Sequence, residues 1–489
     1  MRLLIVETLL VVLGGACAAL GVALAGGRVM RATLLSNVAW NDSGVDARVF
    51  VFTFGLAITI GLLIGLAPAL DATRARLTVA LKEGAGDGGG QRGRGRMMLT
   101  VLQSSLCVVL LIGAGLFVES LRNSRAVALG FQPDRVLRTY SAFSLKGLTG
   151  SSRADAIVRN TAVLASAVER LRALPWVEDA SLAVGSPFGN SFSGIALRIP
   201  GRDSIPQTIA SQVSISAVSA GYFATVGTSL RKGRVFTSAD RAGSAPVVIV
   251  NETMAKKFWP RESAIGKCIM IGDPPVPCSE VIGIVADAHT SNIREPASMQ
   301  YYVPLGQERG IGGTSLLVRT RGNAEEAIPK LRQALLAMSD VPYTRIEFMK
   351  AVLDPQYRPW KLGATMFGVF GVLALIVAAV GLYSVVAYVV ADRTRELGVR
   401  IALGATGGRI VRDVVSSGLA VTAAGVALGV GAALLAGRFI QPLLFDVRAN
   451  DPVVLSSVGA IVIFIGAVAA WRPARRAARV DPVTALRAE

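Results

Sequence analysis

Cys268 and Cys278 are the residues whose types and spacing most directly suggest chemistry. They flank the segment IMIGDPPVP (269–277), in which two short apolar stretches meet at an Asp-Pro-Pro turn. This pattern predicts a strand-turn-strand hairpin with a disulfide across it, provided that the segment lies outside the cytoplasm. The alternative is a pair of unrelated thiols. The remaining cysteines, Cys17 and Cys107, lie in apolar stretches and are expected to be small packing residues.

Other residue types that support catalysis or metal binding are too scattered to form a site. His289 is the only histidine, and neither a cysteine nor a second histidine accompanies it as a zinc ligand. The carboxylates Asp240, Asp287 and Glu295 form no recognisable catalytic pair and are interpreted as solvated surface acids. No phosphate-binding Gly-x4-Gly-Lys-Ser/Thr loop occurs, since AIGKC (264–268) lacks the upstream glycine. The sequence therefore predicts no metal site, no directly bound cofactor and no ATPase core, so the chain is not expected to be an enzyme.

The segment DRTRELGVRIALGAT (392–406), called the elbow below, combines charge with helix signals. Glu396 and Arg400 are four residues apart and can pair across one helical turn, while Leu397 and Ile401 share a face. Two residues are expected to mark the helix ends, Asp392 as the N-cap and Gly404 as the terminator. The pattern predicts a short amphipathic helix at a membrane surface, and a solvated basic loop is the alternative.

Long apolar runs predict that the elbow belongs to a membrane protein. Of the 489 residues, 52% are hydrophobic and only 17% are charged, whereas soluble domains are nearer a quarter charged. Roughly twenty apolar residues cross a bilayer as a helix. Runs of this length lie at about 3–26, 49–70, 97–118, 362–391, 414–437 and 453–471. The predicted fold class is an α-helical membrane protein with about six transmembrane helices and one large α+β domain inserted between them.

The charge distribution predicts the orientation. The formal net charge is +18, and arginines cluster in 71–97, 392–412 and the tail after residue 471. The opposite loops, 27–48 and 438–452, hold fewer cations. Cytoplasmic loops carry the excess of Lys and Arg, so the three clusters are expected in the cytoplasm and the insert outside. Nucleic-acid binding is not expected, because no aromatic-basic platform accompanies the charge.

The insert alternates strand and helix patterns, as an α+β domain does. Apolar, β-branched runs at 245–250 and 280–287 predict strands, and Asn251 is placed to cap a helix that Pro260 ends. Further segments follow the same patterns: helices at 154–174 and 324–338, and strands at 315–320 and 343–349.

One C-terminal motif occurs twice in the chain. PALDATRARLTVALKE (68–83) aligns without a gap with PARRAARVDPVTALRA (473–488), and Asp46 and Asp451 open the preceding apolar runs at the same spacing. The repeat predicts related helical units. The domains predicted from it are a partial unit with two spans (1–83), a Gly/Arg-rich linker (84–96), one span (97–118), the external domain (119–361), and three spans with the elbow and a basic tail (362–489).

The spans carry small residues rather than ionisable ones. Acids or bases at mid-depth, which ion-coupled transporters use, are missing from all six runs apart from Glu7 near one end. Gly61-x3-Gly65 and Gly425-x3-Gly429 would let helices approach closely. Two interpretations stay open, a tight bundle or dimer face, and the ordinary glycine content of membrane helices.

Several long motifs together resemble one family. DRTRELGVRIALGATGGRIV (392–411) and PARRAARVDPVTALR (473–487) are similar to the FtsX-like permease domain of MacB-type ABC transporters. VSAGYFATVGTSLRKGRVFTSAD (218–240), PVVIVNETMAKKFWPRESAIGKCIM (246–270) and the span MMLTVLQSSLCVVLLIGAGLFVESLRN (97–123) resemble the MacB-like periplasmic core domain and the helix before it. The doubled tail resembles the two-repeat permeases of the acidobacterial type.

The resemblance implies a mechanism driven by a separate cytoplasmic ABC ATPase, which binds ATP. That subunit would contact the elbow through Arg393, Arg395, Glu396, Leu397, Arg400 and Ile401. Its closing would move the spans 97–118 and 362–391, and the motion would reach the periplasmic domain for export or extraction. The implied location is the bacterial inner membrane, with the C-terminus cytoplasmic. The lipid bilayer is the further partner, and the resemblance also allows a homodimer and a periplasmic adaptor.

The sequence departs from the family pattern in its first unit. A complete unit has one span, the external domain and three spans, whereas 1–83 holds only the last two spans. An N-terminally truncated copy or an upstream start is expected from this. Two other functions stay open: an FtsX-like signalling scaffold for a periplasmic partner, and a non-functional remnant. Cargo-dependent ATPase stimulation in liposomes would separate transport from signalling, and failure of any ATPase to co-purify would favour the remnant.

Overall fold

The structure is a computed structural model that divides into two compact units. One comprises residues 1–122 and 358–489, here called the helical unit, and the other comprises 123–357, here called the mixed unit. The described residues are 2–34, 51–52, 54–55, 58–59, 89–141, 150–189, 192–193, 197–200, 213–272, 275–307, 314–338, 341 and 343–478.

The described residues contain helices of very different lengths. In chain order the α-helices are α1 (Arg2–Leu34), α2 (Gly89–Ala126), α3 (Gly150–Arg172), α4 (Tyr222–Val226), α5 (Glu252–Phe258), α6 (Ala324–Ala337), α7 (Met349–Asp392), α8 (Thr394–Ala402), α9 (Gly407–Ile440) and α10 (Pro452–Ala477). Short 3₁₀ turns lie at Pro133–Arg135 and Gln441–Leu443.

The strands all belong to the mixed unit. They are β1 (Val136–Ser141), β2 (Val177–Val184), β3 (Phe192–Ser193), β4 (Leu197–Arg198), β5 (Ser214–Val218), β6 (Leu230–Gly233), β7 (Val247–Asn251), β8 (Cys268–Ile271), β9 (Cys278–Val285), β10 (Gln300–Pro304), β11 (Ser315–Thr320) and β12 (Tyr343–Phe348). They pair in the order β12-β1-β11-β2-β5-β10-β7-β9-β8-β4, with β3 beside β5 and β6 beside β9. The pairs β5–β10 and β7–β9 are parallel and the others antiparallel, so this is a mixed sheet.

Local signals position several of these elements where the sequence predicts them. Asn251 ends β7, and its side chain accepts a hydrogen bond from the Met254 amide at 3.0 Å, which caps α5. Helix α5 stops at Phe258, two residues before Pro260, because proline cannot continue the hydrogen-bond ladder. Strand β11 coincides with the predicted strand 315–320.

Long amphipathic helices cover part of the sheet. Leu164 and Leu171 of α3 and Leu331 and Leu335 of α6 are buried in one cluster with strand residues such as Leu316. The i, i+4 and i, i+7 spacings place each leucine pair on one helical face. Full burial of such a side chain stabilises the fold by roughly 1.5–3 kcal/mol, so these two helices are integral to the domain.

A buried ion pair crosses the edge of this sheet. Arg138 of β1 is 2% exposed and lies opposite Glu347 of β12 in the strand register. Its Nη2 donates to Glu347 Oε2 at 2.8 Å, and its Nη1 donates to the Pro187 carbonyl at 3.0 Å. Removing one member of such a pair leaves an uncompensated buried charge.

The helical unit supplies the candidate membrane spans. Four helices of the described residues are long and apolar enough to cross a membrane: α2 from Gly95, α7, α9 and α10. Asp451, which opens the second copy of the repeated motif, caps α10, because its Oδ1 accepts from the Val453 and Val454 amides at 2.8 and 3.1 Å. Asp46 lies outside the described residues.

The predicted total of about six spans rests on two segments that remain predictions. The run 3–26 lies within α1, whose apolar part, Val12–Arg28, is shorter than a membrane span. Most of the run 49–70 lies outside the described residues. The two units fit the coarser prediction of a membrane protein with a large sheet-containing domain.

Glycines bring α9 and α2 into direct backbone contact. A Cβ added to Gly429 would lie 2.7 Å from the Ser105 carbonyl oxygen, and one added to Gly425 would lie 2.5 Å from the Ser104 Cβ. Of the two interpretations of the glycine pattern, the tight bundle therefore applies to Gly425-x3-Gly429. The pair Gly61-x3-Gly65 lies outside the described residues.

Two boundary predictions differ from the structure. Helix α2 begins at Gly89, so the second half of the predicted linker 84–96 is helical and continuous with the span. Helix α7 begins at Met349 rather than near 362, where the apolar run begins, and its polar first part contains Pro355 and Pro359.

One packing prediction also needs correction. Cys107 is fully buried between helices, as expected of a small packing residue, but Cys17 is exposed on α1. Within the described residues Cys17 is exposed, so the expected packing contact is not seen for it.

Candidate functional site

The elbow begins directly at the end of α7. Asp392 is the last residue of that helix and Arg393 precedes α8, so the predicted Asp392 N-cap is wrong. The Thr394 hydroxyl donates to the Val390 and Ala391 carbonyls, both at 2.9 Å. The Leu397 amide donates to the Arg393 carbonyl at 2.9 Å. Together these bonds connect the end of α7 to the start of α8. The junction is therefore a tight bend that needs no acidic cap.

The elbow helix ends as the sequence predicts. Gly404 adopts φ +92°, the left-handed conformation that glycine tolerates best. The Ala405 amide donates to the Arg400 carbonyl and the Gly404 amide to the Ile401 carbonyl, both at 2.9 Å. This pair of bonds is the Schellman motif, which satisfies the last carbonyls of a helix and turns the chain sharply.

The inner face of α8 is anchored inside the helical unit. Leu397 is 7% exposed and packs with Ile410 of α9 and Ala477 of α10, and Ile401 is partly buried against the same cluster. Leu397 therefore packs within its own chain, and Ile401 is partly covered by the same cluster. The prediction that this pair contacts an ATPase stays a prediction, because periodicity shows which residues share a face without showing what covers it.

The outer face of α8 is exposed and mixed in character. Glu396 and Arg400 form the predicted i, i+4 ion pair, with side chains 49% and 52% exposed. Arg393 is also exposed, whereas the side chain of Arg395 lies outside the described part of the chain. An exposed pair of this kind contributes only about 0.3–0.5 kcal/mol to helix stability. Its charges therefore remain available to a partner at little cost.

Two exposed apolar residues on the elbow were not predicted as contact residues from the sequence. Val399 is 41% exposed, and Leu403, at the end of α8, is 83% exposed. A signal was available, because Leu397, Val399, Ile401 and Leu403 alternate and so place apolar groups on opposite sides of a helix. Large exposed apolar side chains rimmed by charge are typical of protein contact surfaces.

The cysteine pair of the mixed unit lies where the hairpin pattern predicts. Strands β8 and β9 are antiparallel, with Met270 opposite Cys278 and Cys268 opposite Glu280. The structure joins Cys268 and Cys278 in a disulfide with Cα atoms 5.5 Å apart. The cysteines occupy one face of the hairpin, and the crosslink closes a loop near the end of the sheet.

The scattered acids of the mixed unit have separate local roles. Asp240 accepts from both Arg234 Nη atoms at 2.7 and 2.9 Å, and this bond holds the pKa of the carboxyl at about 2. Asp287 accepts from the Thr253 amide and hydroxyl at 2.9 and 2.7 Å. Glu295 accepts from the Thr290 amide. Within the described residues, no group of His, Cys, Asp and Glu side chains could hold a metal ion.

Comparison with known families identifies both units. Residues 97–334 match the MacB-like periplasmic core domain, and residues 368–482, which contain the whole elbow, match the FtsX-like permease C-terminal domain. The chain belongs to the MacB/FtsX-like permeases of ABC transporters. As such it is a membrane protein with a periplasmic domain and has an ABC-transporter permease role.

The similar curated proteins are longer than this permease. The pyoverdine export ATP-binding/permease protein PvdT of Pseudomonas putida is 28% identical over 270 residues, which are 53% of this chain and 40% of PvdT. The macrolide export ATP-binding/permease protein MacB of Salmonella typhi is 25% identical over 331 residues, 64% of this chain and 47% of MacB. The chain thus spans less than half the length of these relatives.

Solved structures of two extracytoplasmic domains are also similar to the permease. The periplasmic region of MacB from Actinobacillus actinomycetemcomitans is 19% identical, covers 48% of this chain and 95% of its own, and has a TM-score of 0.32. The extracellular domain of the transporter YknZ from Gram-positive bacteria is 18% identical, covers 36% and 81%, and has a TM-score of 0.27.

Proposed function

We propose that this permease couples ATP hydrolysis by a separate cytoplasmic ABC ATPase to motion of its periplasmic domain, for export of a substrate or its extraction from the membrane. The observation that carries the proposal is the two-sided elbow. Helix α8 is fixed on its inner face by Leu397, while its outer face offers Leu403, Val399 and the Glu396–Arg400 pair. A contact site for a motor must be rigid toward its own chain and open toward the partner.

The inner anchor supports transmission of force. Leu397 packs with residues of α9 and α10, and α8 follows α7 after one residue. A displacement of α8 would therefore act on three membrane helices together. Helix α7 continues without interruption from Asp392 back to Met349, which gives the motion a stiff path away from the elbow. Close-packed interiors transmit strain in this way because they deform little.

The composition of the spans supports work outside the membrane rather than a polar pore. No Asp, Glu, Lys, Arg or His occurs in 97–118, 362–391, 414–437 or 453–471. Ion-coupled translocation along these helices would need ionisable groups at mid-depth. The periplasmic domain is then the part that handles the substrate.

The proposal includes the location and the partners. Exposed Arg393, Arg409, Arg412 and Arg472 lie at the elbow ends of the membrane helices. The positive-inside rule favours the cytoplasm for that side, hence a cytoplasmic C-terminus and a chain in the bacterial inner membrane. ATP would bind to the partner ATPase. A homodimer and a periplasmic adaptor are further partners consistent with the family.

A photocrosslinker at position 403 tests the elbow contact. The full-length chain would carry p-benzoylphenylalanine in place of Leu403, or in place of Leu336 of α6 as the matched control, since Leu336 is an exposed leucine (68%) of the mixed unit. The expected adduct from position 403 is a protein with a nucleotide-binding loop and measurable ATP hydrolysis. Crosslinks to such an ATPase from both positions, or from neither, would count against the elbow as the contact site.

Charge substitutions then test coupling. Leu403→Asp is expected to lower co-purified ATPase by at least about tenfold, because it places a charge in a contact that the partner must desolvate. The double variant Glu396→Ala/Arg400→Ala should uncouple ATP hydrolysis from transport while the chain remains folded. Glu252→Ala/Lys256→Ala, which removes an i, i+4 pair from α5, is the control. Unchanged transport in the elbow double variant would exclude a coupling role for this pair.

A further inference from the structure

An apolar groove lies between α7 and α10 in the helical unit. It has a volume of about 480 Å³ and is lined by Ala379, Val380, Tyr383, Val468, Ala469, Trp471 and Arg472. Val380 and Val468 are 59% and 55% exposed, so the groove opens sideways, toward the lipid in a membrane. Its volume is within the range of ligand sites, about 300–1,000 Å³.

Small residues hold α10 close to the helix behind it. Ala470, which follows the groove residue Ala469, is fully buried in a cluster with Leu382 of α7 and Val421 of α9. A Cβ added to Gly418 of α9 would lie 3.0 Å from the Ala470 Cβ. Helix α10 is therefore fixed by close packing, while the groove itself is lined by residues of α7 and α10.

One end of the groove is strongly cationic and aromatic. Arg475 stacks over Trp471, with its Cζ 3.9 Å from the ring centroid, and Arg476 Nη1 donates to the Tyr383 hydroxyl at 3.1 Å. Arg472 lines the groove itself. Among the described residues, no carboxylate forms an ion pair with any of these three arginines. Aromatic rings thus hold Arg475 and Arg476 in place, and within the described residues the positive charge at this end has no carboxylate partner.

The cationic end lies where a membrane helix meets water. Arg472 is the first charged residue after the apolar run of α10, and Trp471 and Tyr383 are the aromatic types that accumulate at the membrane interface. An occupant must therefore have an anionic group at the interface joined to an apolar chain that points into the bilayer. A soluble anion would leave the apolar walls unused, and an apolar partner helix would leave the arginines without counter-charge.

We propose that this groove binds one anionic phospholipid of the leaflet at the arginine-bearing helix ends. The phosphate would lie at Arg472 and Arg475, and one acyl chain would lie along Val380 and Val468. Guanidinium groups suit the phosphate because they donate several hydrogen bonds in a fixed planar arrangement. Because α7 leads to the elbow, the bound lipid would brace α7 against α10.

Lipid retention by the full-length chain tests the proposal. The chain would be reconstituted in nanodiscs of phosphatidylcholine with a minor fraction of phosphatidylglycerol, and the lipids that stay bound would be identified by native mass spectrometry. We expect preferential retention of phosphatidylglycerol by about thirtyfold, the order that two interfacial arginines provide at about 1 kcal/mol each. Equal retention of the two lipids by the unmodified chain would overturn the proposal.

Three variants separate this site from general attraction of anionic lipid to a basic surface. Arg472→Ala/Arg475→Ala should abolish the preference, whereas Arg409→Ala/Arg412→Ala removes the same charge from exposed positions of α9 and should retain it. Ala469→Phe should also abolish it by filling the groove while every arginine remains. If both double arginine variants lose the preference for phosphatidylglycerol, or if Ala469→Phe keeps it, the attraction is diffuse and the proposal is overturned. Displacement of the lipid by inorganic phosphate would do so as well, because it would assign the arginines to a free anion.

Discussion

In the mixed unit a charged side chain, Arg138, lies buried with hydrogen-bond partners on two sides, whereas in the helical unit Gly425 and Gly429 leave no room for a side chain between α9 and α2. The first arrangement depends on the identity of polar groups, and the second depends on how closely two backbones approach. The difference follows from the surroundings. The mixed unit supplies a carboxylate and a backbone carbonyl that satisfy the buried guanidinium, whereas a bilayer favours close packing of small residues.

Removal of the buried charge should have the largest effect on the mixed unit. Arg138→Ala is expected to destabilise it by about 3–5 kcal/mol, because Glu347, which is 14% exposed, loses its most buried partner. Hydrogen exchange of β1 and β12 in the full-length chain would measure the loss. Arg138→Met with Glu347→Leu is the informative control, since it removes both charges. If that double variant is as unstable as Arg138→Ala, the pairing is not what stabilises this edge.

Loss of the disulfide should have the next largest effect on the same unit. Cys268→Ser/Cys278→Ser opens a loop with a sequence separation of 10 residues. The chain-entropy relation for a loop of this length gives a destabilisation of about 3 kcal/mol. Hydrogen exchange of β8 and β9 is the measurement, and the helical unit should not respond. Protection of α9 that falls together with that of β9 would show that the two units are not stabilised independently.

In the helical unit the comparison predicts sensitivity to a single methyl group. Gly429→Ala should destabilise the unit by about 1–3 kcal/mol, because the new Cβ would lie 2.7 Å from a carbonyl oxygen of α2 that cannot rotate away. Gly431→Ala is the matched control in the same helix, since nothing lies within 4 Å of its added Cβ. That variant should be neutral or slightly stabilising. Thermal midpoints in detergent would compare the two, and equal midpoints would contradict backbone contact at Gly429.

The smallest expected effect is a pH dependence of the mixed unit. Arg234 lowers the pKa of Asp240 from 3.8 to about 2. A carboxyl with a depressed pKa stabilises the fold above its unfolded pKa, and this contribution is lost as the pH falls from about 4 to about 2. We expect about 1 kcal/mol after allowance for the half-exposed arginine. Asp240→Asn should not show this loss of stability between about pH 4 and about pH 2. Hydrogen exchange of the loop at Thr237, followed over that pH range, would measure it.

Much of the fold follows from local sequence signals. Asn251 specifies the start of α5 because its side chain fits the cap, and Gly404 ends α8 because few other residues adopt its conformation. The order of strands is different. Strand β1 pairs with β11 and β12, which lie far along the chain, and no local pattern encodes such long-range pairing. The early start of α7 was missed for a different reason, since the apolar run that marks the span begins only near residue 362, whereas the helix itself begins at Met349.

The candidate site was predictable to a similar degree. The spacing of Glu396 and Arg400 predicted their ion pair, and the alternation of charge and apolar residues predicted an amphipathic helix. The direction in which each face points was not predictable, because it depends on Ile410 and Ala477, which lie in other helices. Leu403 was therefore overlooked, although it is the most exposed large apolar residue of the elbow.

The anchoring of α8 by buried Leu397 and partly buried Ile401 gives the elbow the properties of a lever. With Leu397, the more buried of the two, as the fulcrum, Leu403 lies six positions further along the chain at the exposed end of the arm. At a rise of 1.5 Å per residue the arm is about 9 Å long, so a tilt of about 20° would displace its tip by about 3 Å. A partner that moves the tip by a few ångströms would therefore rotate α8 slightly about Leu397. Because residues at the fulcrum move less than the tip, the force on the helices packed there would be larger than the force applied at the tip.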